Sequence, residues 1–200
     1  MKVKAVVFDL GKVLVDFDYG IAARKLALQS KATADEIRML IDQSPLLFRY
    51  EAAQMTTAEF FDEVRSRISF RGSFEEFAAA FADIFSEIPE MTALHREVRE
   101  AGFPTFVLSN TNEIAIRHVR RNFPFFSNFT DYVFSFEHGV LKPQQRIYEI
   151  TEQRSGARGN EILFLDDKPE NVEPATARSW QTICHRSPQE TIPKLRALIS

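Results

Sequence analysis

The stretch KAVVFDLGKVLVDFD, residues 4–18, decides how the rest of the chain is read. Its run AVVF is apolar at four consecutive positions and stops at an acid, Asp9. A short continuous apolar run with a polar end fits a strand buried on both faces. The same signature recurs where TFVL stops at Ser109 and where ILFL stops at Asp166. DYVFS (131–135) and QTICH (181–185) read as two further strands. Helix-like patterns lie between them, and strands alternating with helices build a parallel sheet through right-handed crossovers. The expected class is α/β, with helices on both faces of the sheet. Ligands of such sheets sit beyond the carboxyl ends of the strands, where Asp9, Ser109 and Asp166 should converge.

The turns after these strands carry helix-start chemistry: Asn110 with Glu113, Asp167 with Glu170, and Pro143 directly after Lys142. Helix N-termini facing one crevice favour an anion, and a phosphate is a natural occupant. One segment breaks the alternation. Residues 19–88 show no clear strand, but helical spacing at Phe74, Phe77, Phe81 and Phe85 and turn signals at QSPL and SFRGS. This is read as a helical insertion whose phenylalanines form core.

Composition excludes several classes. The net charge of −3 gives no basis for a polyanion partner, and residues 16–88 hold eight Lys and Arg against thirteen Asp and Glu. No nucleic-acid partner is expected. One cysteine, Cys184, allows neither a disulfide framework nor a cysteine metal cluster, and the four histidines show no zinc-ligand spacing. No apolar run reaches membrane-spanning length, and AVVF is too short for a signal-peptide core. A cytoplasmic protein without a membrane partner, monomer or homodimer, is the expectation.

A strand-end aspartate such as Asp9 can attack phosphorus to give an aspartyl-phosphate. Attack of one anion on another needs a divalent cation, for which Asp166 and Asp167 supply further oxygen ligands; Mg²⁺ suits a few carboxylates plus substrate. Ser109 can hold a phosphate oxygen, and Lys142 can neutralise charge on the transferring group.

Four signatures in order, FDLGKVL (8–14), LSNTN (108–112), GVLKP (139–143) and LFLDDKPENV (163–172), make the chain resemble a phosphatase of the haloacid dehalogenase superfamily. The resemblance implies a Rossmann-like core at 1–16 and 89–200 with a helical cap inserted at 17–88. It implies Asp9 as nucleophile, and Mg²⁺ held by Asp9, the Gly11 backbone carbonyl, Asp166 and Asp167. It places Ser109, Asn110, Lys142, Leu10 and Gly11 against the phosphate, and Asn171 as a brace of the metal loop. FDLG, VDFD, LSNTN, RNFPFF (121–126) and KPQQRIYE are similar to the group containing α-D-glucose-1-phosphate phosphatase, which suggests a small phosphorylated substrate such as a hexose 1-phosphate.

Most phosphatases of that superfamily carry an acid where this chain has Gly11. That acid protonates the leaving oxygen and then activates water, a contribution of roughly 10²- to 10⁴-fold. Asp16, in the KVLVDFD stretch, is the candidate replacement; Asp18 and His138 rank below it. Arg24, Arg49 and Tyr50 are candidates to reach the site from the insertion. Two rival readings stay open: a phosphoryl-ligand binding protein that has lost its chemistry with the acid, and a metal-independent dehalogenase, against which the adjacent carboxylates 166 and 167 argue.

Overall fold

The computed structural model describes residues 3–199; residues 1, 2 and 200 of the expected core lie outside the described residues. In chain order, β1 (Ala5–Phe8) and β2 (Val15–Phe17) precede five helices: α1 (Tyr19–Ala27), α2 (Ala34–Ile41), α3 (Pro45–Glu51), α4 (Thr57–Ile68) and α5 (Phe74–Ala82). Then come β3 (Phe85–Glu87), α6 (Pro89–Glu100), β4 (Thr105–Ser109), α7 (Glu113–Asn122), β5 (Asp131–Phe134) and the one-turn α8 (Ser135–His138). The chain continues with α9 (Gln145–Ser155), β6 (Ile162–Asp166), α10 (Pro169–Ala177), β7 (Gln181–Cys184) and α11 (Pro188–Ile199).

The main sheet is parallel, in the order β5-β4-β1-β6-β7. The chain leaves β1 for β4 and β5 on one side and later returns to β6 and β7 on the other, so the strand order reverses at β1. Phe8 pairs with Val107 on one side and Leu165 on the other, which sets the ends of β1, β4 and β6 level. Alternation along β1 sends Val6 and Phe8 into one core, with Met91, Leu94, Val98 and Leu195 of α6 and α11. Ala5 and Val7 enter the opposite core, with Ile147 and Tyr148 of α9, Ala175 of α10 and Trp180. Helices therefore cover both faces, as the apolar runs predict.

Helices α1–α5 bury a third cluster that includes Leu26, Ile37, Phe60, Val64, Phe77 and Phe81, and Ile114 of α7 joins it. Reciprocal capping boxes start three of them, at Thr33 with Glu36, Thr56 with Glu59 and Ser73 with Glu76.

Two readings of the sequence need correction. Residues 85–87 form a strand rather than the end of a helical stripe, with Phe17 opposite Phe85 and Val15 opposite Glu87 in an antiparallel pair. Three residues, one half-buried and two exposed, whose partner lies some seventy positions away leave no periodic signal. The helix starts also shift. Asn112, not Asn110, caps α7 by accepting from Ala115 N–H at 3.0 Å, and α10 begins at Pro169 with no side-chain cap from Asp167. Asn110 and Asp167 are thereby left to the crevice. Among the described residues no helix is long and apolar enough to cross a membrane.

Candidate active site

Three strand ends and the turn before α9 bring their polar residues together. Asp9 follows β1, Ser109 ends β4, Asp166 ends β6, and Lys142 enters from the segment before α9. The Lys142 side chain is buried with its ammonium between two carboxylates, 2.9 Å from Asp9 Oδ1 and 2.6 Å from Asp166 Oδ2, and it also donates to Leu108 C=O at 2.9 Å. A buried charge needs such compensation on every side. Burial alone would lower its pKa, but Asp166 and Asp9 hold the ammonium above its ordinary value. Burial pushes the Asp9 carboxyl above the usual range, against Lys142 and with Asp166 and Asp167. Asp167 is raised too, by burial and then by Asp166.

Carboxylate oxygens of Asp9, Asp166 and Asp167 lie within 4.8 Å of one another. Three hard oxygen donors at that spacing fit Mg²⁺ rather than a soft metal. The loop around Asp166 is braced from two sides: Asp166 Oδ1 accepts from Lys168 N–H and Asn171 Nδ2, both at 2.9 Å, and Tyr148 O–H donates to Asn171 C=O at 2.7 Å. Asp9 Oδ1 accepts from Leu10 N–H at 2.7 Å as well as from Lys142, so neither of these bonds uses Oδ2. In the turn after Asp9, Val15 N–H donates to Leu10 C=O and Lys12 N–H to Val15 C=O, and no backbone bond among the described residues uses the Gly11 carbonyl. Asn110 fixes the backbone of Lys142 in both directions, donating to its C=O at 2.9 Å and accepting from its N–H at 2.7 Å.

The cleft over this cluster holds about 820 Å³, part of it open to solvent. Asp9, Leu10, Gly11, Ser109, Asn110, Lys142 and Asp167 form its floor. Its upper wall includes side chains the sequence reading did not assign to the site: Phe17, Tyr19, Phe48, Glu51 and Phe85. Gly11 itself is crowded, since a Cβ there would stand 2.8 Å from Phe17 Cε1. The Phe17 ring occupies the space that a side chain at position 11 would need.

Asp16 is not brought into this group. It is exposed on β2 and pairs with Lys12, and hydrogen bonding from that ammonium holds its carboxyl below its ordinary value. An acid so held is a poor proton donor. Asp18 caps α1 through Gly20 N–H. Arg24 lies against Asp18 and Arg49 against Glu63, both exposed, while Tyr50 is buried in a stack on Phe60 with ring centroids 4.4 Å apart. His138 is half-buried and its Nε2 has no hydrogen-bond partner among the described residues. Cys184 is half-buried behind the site, its Sγ 3.8 Å from Asp167 C=O.

A family model described as haloacid dehalogenase-like hydrolase matches residues 3–177. Acyl-CoA dehydrogenase family member 10 of Mus musculus is 25% identical over 98% of this chain, which spans 19% of that protein's length. A sesquiterpene phosphatase of Aspergillus oryzae is 26% identical, covering 87% of this chain and 85% of its own. A D-ribitol-5-phosphate phosphatase of Bacteroides thetaiotaomicron is 24% identical, covering 90% of each. Among solved structures, a predicted HAD-like family hydrolase of Porphyromonas gingivalis superposes with a TM-score of 0.83 at 26% identity, over 100% of this chain and 98% of its own. A HAD family enzyme of Bacteroides thetaiotaomicron in complex with magnesium and inorganic phosphate superposes at 0.81 and 24% identity, over 92% and 94%.

Proposed function

The chain belongs to the haloacid dehalogenase-like hydrolases, and from that premise we propose that it is a Mg²⁺-dependent phosphatase of a small phosphorylated metabolite, working through an aspartyl-phosphate on Asp9. The observation that carries this reading is the buried Asp9–Lys142–Asp166 cluster with Asp167 beside it, set at the reversal of strand order. Asp9, the Gly11 carbonyl, Asp166 and Asp167 would hold Mg²⁺, which when bound offsets the repulsion between nucleophile and phosphate.

The chain's own residues account for the rest. Lys142 holds Asp9 in place and faces the charge that spreads over the transferring group. Ser109 Oγ, buried at the end of β4, would donate to a phosphate oxygen, and Leu10 and Gly11 line the same floor. Asp9 Oδ2 attacks phosphorus and water later releases the phosphate. Residues 17–88 act as a cap that excludes water and meets the leaving group.

For the substrate, the resemblance to the glucose-1-phosphate phosphatase group and the ribitol-phosphate relative favour a sugar or polyol phosphate, a hexose 1-phosphate first. An anomeric oxygen leaves easily, which suits a site with glycine at 11. The aromatic wall of Phe17, Tyr19, Phe48 and Phe85 favours a second class, the phosphate of an apolar alcohol, and the sesquiterpene phosphatase relative adds to it. The test is phosphate release from a panel holding anomeric, 6- and polyol phosphates and an isoprenoid phosphate, with Mg²⁺ or chelator, beside Asp9→Asn. Metal-dependent release absent from Asp9→Asn is expected. No release from any ester would overturn the phosphatase reading in favour of a phosphoryl-ligand binding protein.

A further inference from the structure

A phosphatase of this design must move a proton twice, yet position 11 carries no acid and its side-chain space is filled by the Phe17 ring. Asp16 is not among the residues lining the cleft and is bound to Lys12. Glu51 is different. It ends α3, is 9% exposed, and lines the cleft above Asp9. Its carboxyl takes part in no hydrogen bond or ion pair with any described residue, whereas the buried carboxylates below it, Asp9 on the cleft floor and Asp166 beneath, are tied to Lys142. The Glu51 oxygens therefore open on the cleft, where a bound ligand or water is what they can meet, in surroundings that solvate a charge poorly.

We propose that Glu51 is the general acid and base of this site, supplying from the upper wall of the cleft the proton transfers that Gly11 cannot. The inference rests on the phosphatase reading above. In the first half-reaction Asp9 Oδ2 forms a bond to phosphorus while the bond to the leaving oxygen breaks. The electron pair goes to that oxygen, and Glu51 gives it a proton, so the alcohol departs neutral. In the second, the Glu51 carboxylate takes a proton from water as the water oxygen bonds to phosphorus and the Asp9–phosphorus bond breaks. Inorganic phosphate, free Asp9 carboxylate and protonated Glu51 result. Both apical groups, leaving oxygen and attacking water, stand opposite Asp9, so one acid on the far side of the phosphate serves both steps.

The surroundings suit that duty. Burial pushes the Glu51 carboxyl up to about 7, with Lys168 pulling it down, Asp9 pushing it up and Lys142 pulling it down. A general acid–base works best with a pKa near the operating pH. Glu137 and His138, on the short α8 packed against α3, are not among the groups whose charge acts on Glu51.

The test is stopped-flow hydrolysis of p-nitrophenyl phosphate and steady-state hydrolysis of glycerol phosphate by wild type, Glu51→Gln and Glu51→Asp, all with Mg²⁺. Nitrophenolate leaves without a proton. Glu51→Gln should therefore release about one nitrophenolate per enzyme in a burst and then turn over slowly. Its kcat on glycerol phosphate should fall by about 10²-fold or more, with Glu51→Asp in between. Equal fractional losses on both esters without a burst, or no loss, would overturn the assignment while leaving the phosphatase reading in place. Failure of the wild type on both esters and on every ester of the panel above would remove the phosphatase reading and this inference together.

Discussion

At the scale of single residues the site is a balance of charge around Lys142. Its ammonium touches Asp9 and Asp166; Lys142 and Asp166 are enclosed and Asp9 meets solvent only through the cleft, so water replaces a lost contact poorly. Removing one member of a buried pair costs about 3–5 kcal/mol because the other charge stays stranded. Lys142→Met should lose that much unfolding free energy in urea with chelator present and regain part of it in Mg²⁺, since a cation can take over the neutralisation. An unchanged midpoint on adding Mg²⁺ would mean that the three carboxylates do not gather a cation. Gly11 offers the opposite experiment. In Gly11→Asp the new Cβ must displace Phe17, whose ring is wedged edge-on against Tyr19 and Phe85 at 5.9 and 6.2 Å. We expect a loss of about 1–3 kcal/mol from overpacking and no gain in rate. Adding Phe17→Leu should return most of the stability, seen as non-additivity in a double-mutant cycle.

At the scale of elements, the parts that were legible in the sequence are those with a local cause. AVVF, TFVL and ILFL are strands because an unbroken apolar run satisfies two faces at once, and their polar ends meet because parallel strands in register end level. What escaped was whatever depends on a distant partner. The strand at 85–87 exists through its pairing with β2, Phe85 lines the cleft for the same reason, and Glu51 in RYEAAQ reads as an ordinary helix acid until α3 is laid over the site. Of the phenylalanines legible by spacing, Phe77 and Phe81 are core: Phe77 lies between Phe60, Phe61, Phe70 and Phe81, with ring centroids 5.2–6.1 Å apart. Phe77→Ala should therefore cost about 3–5 kcal/mol in denaturant unfolding. It should also raise KM more than it lowers the burst rate on p-nitrophenyl phosphate, because the loosened helices carry the upper wall while Asp9 and Lys142 stand on the sheet. Equal effects on both would show that the wall contributes nothing to binding.

At the scale of the whole molecule, buried titratable groups of opposite sense shape how stability depends on pH. His95 is buried on α6, shares a 3.0 Å hydrogen bond with Thr105 Oγ1, and stacks on Phe129 with ring centroids 3.8 Å apart. Burial, helped by Arg99, holds its pKa down at about 4. Between about 4 and its ordinary value of 6.5 the unfolded chain binds the proton that the folded chain refuses, so this contribution to stability is present above 6.5 and lost as pH falls to 4. Glu51 works the other way. Its carboxyl is raised from 4.5 to about 7, so the folded chain holds the extra proton, and its contribution is present below 4.5 and lost as pH rises through 7. Each window spans enough to be worth up to about 3 kcal/mol. Measured by urea unfolding in chelator, wild type should lose stability relative to His95→Leu as pH falls from 6.5 to 4. Relative to Glu51→Gln it should lose stability as pH rises from 4.5 to 7. Parallel curves for wild type and His95→Leu would show that the imidazole accepts its proton inside the fold at no cost. Parallel curves for wild type and Glu51→Gln would remove the carboxyl's raised pKa, and with it the match between this group and the pH at which it is asked to give up a proton.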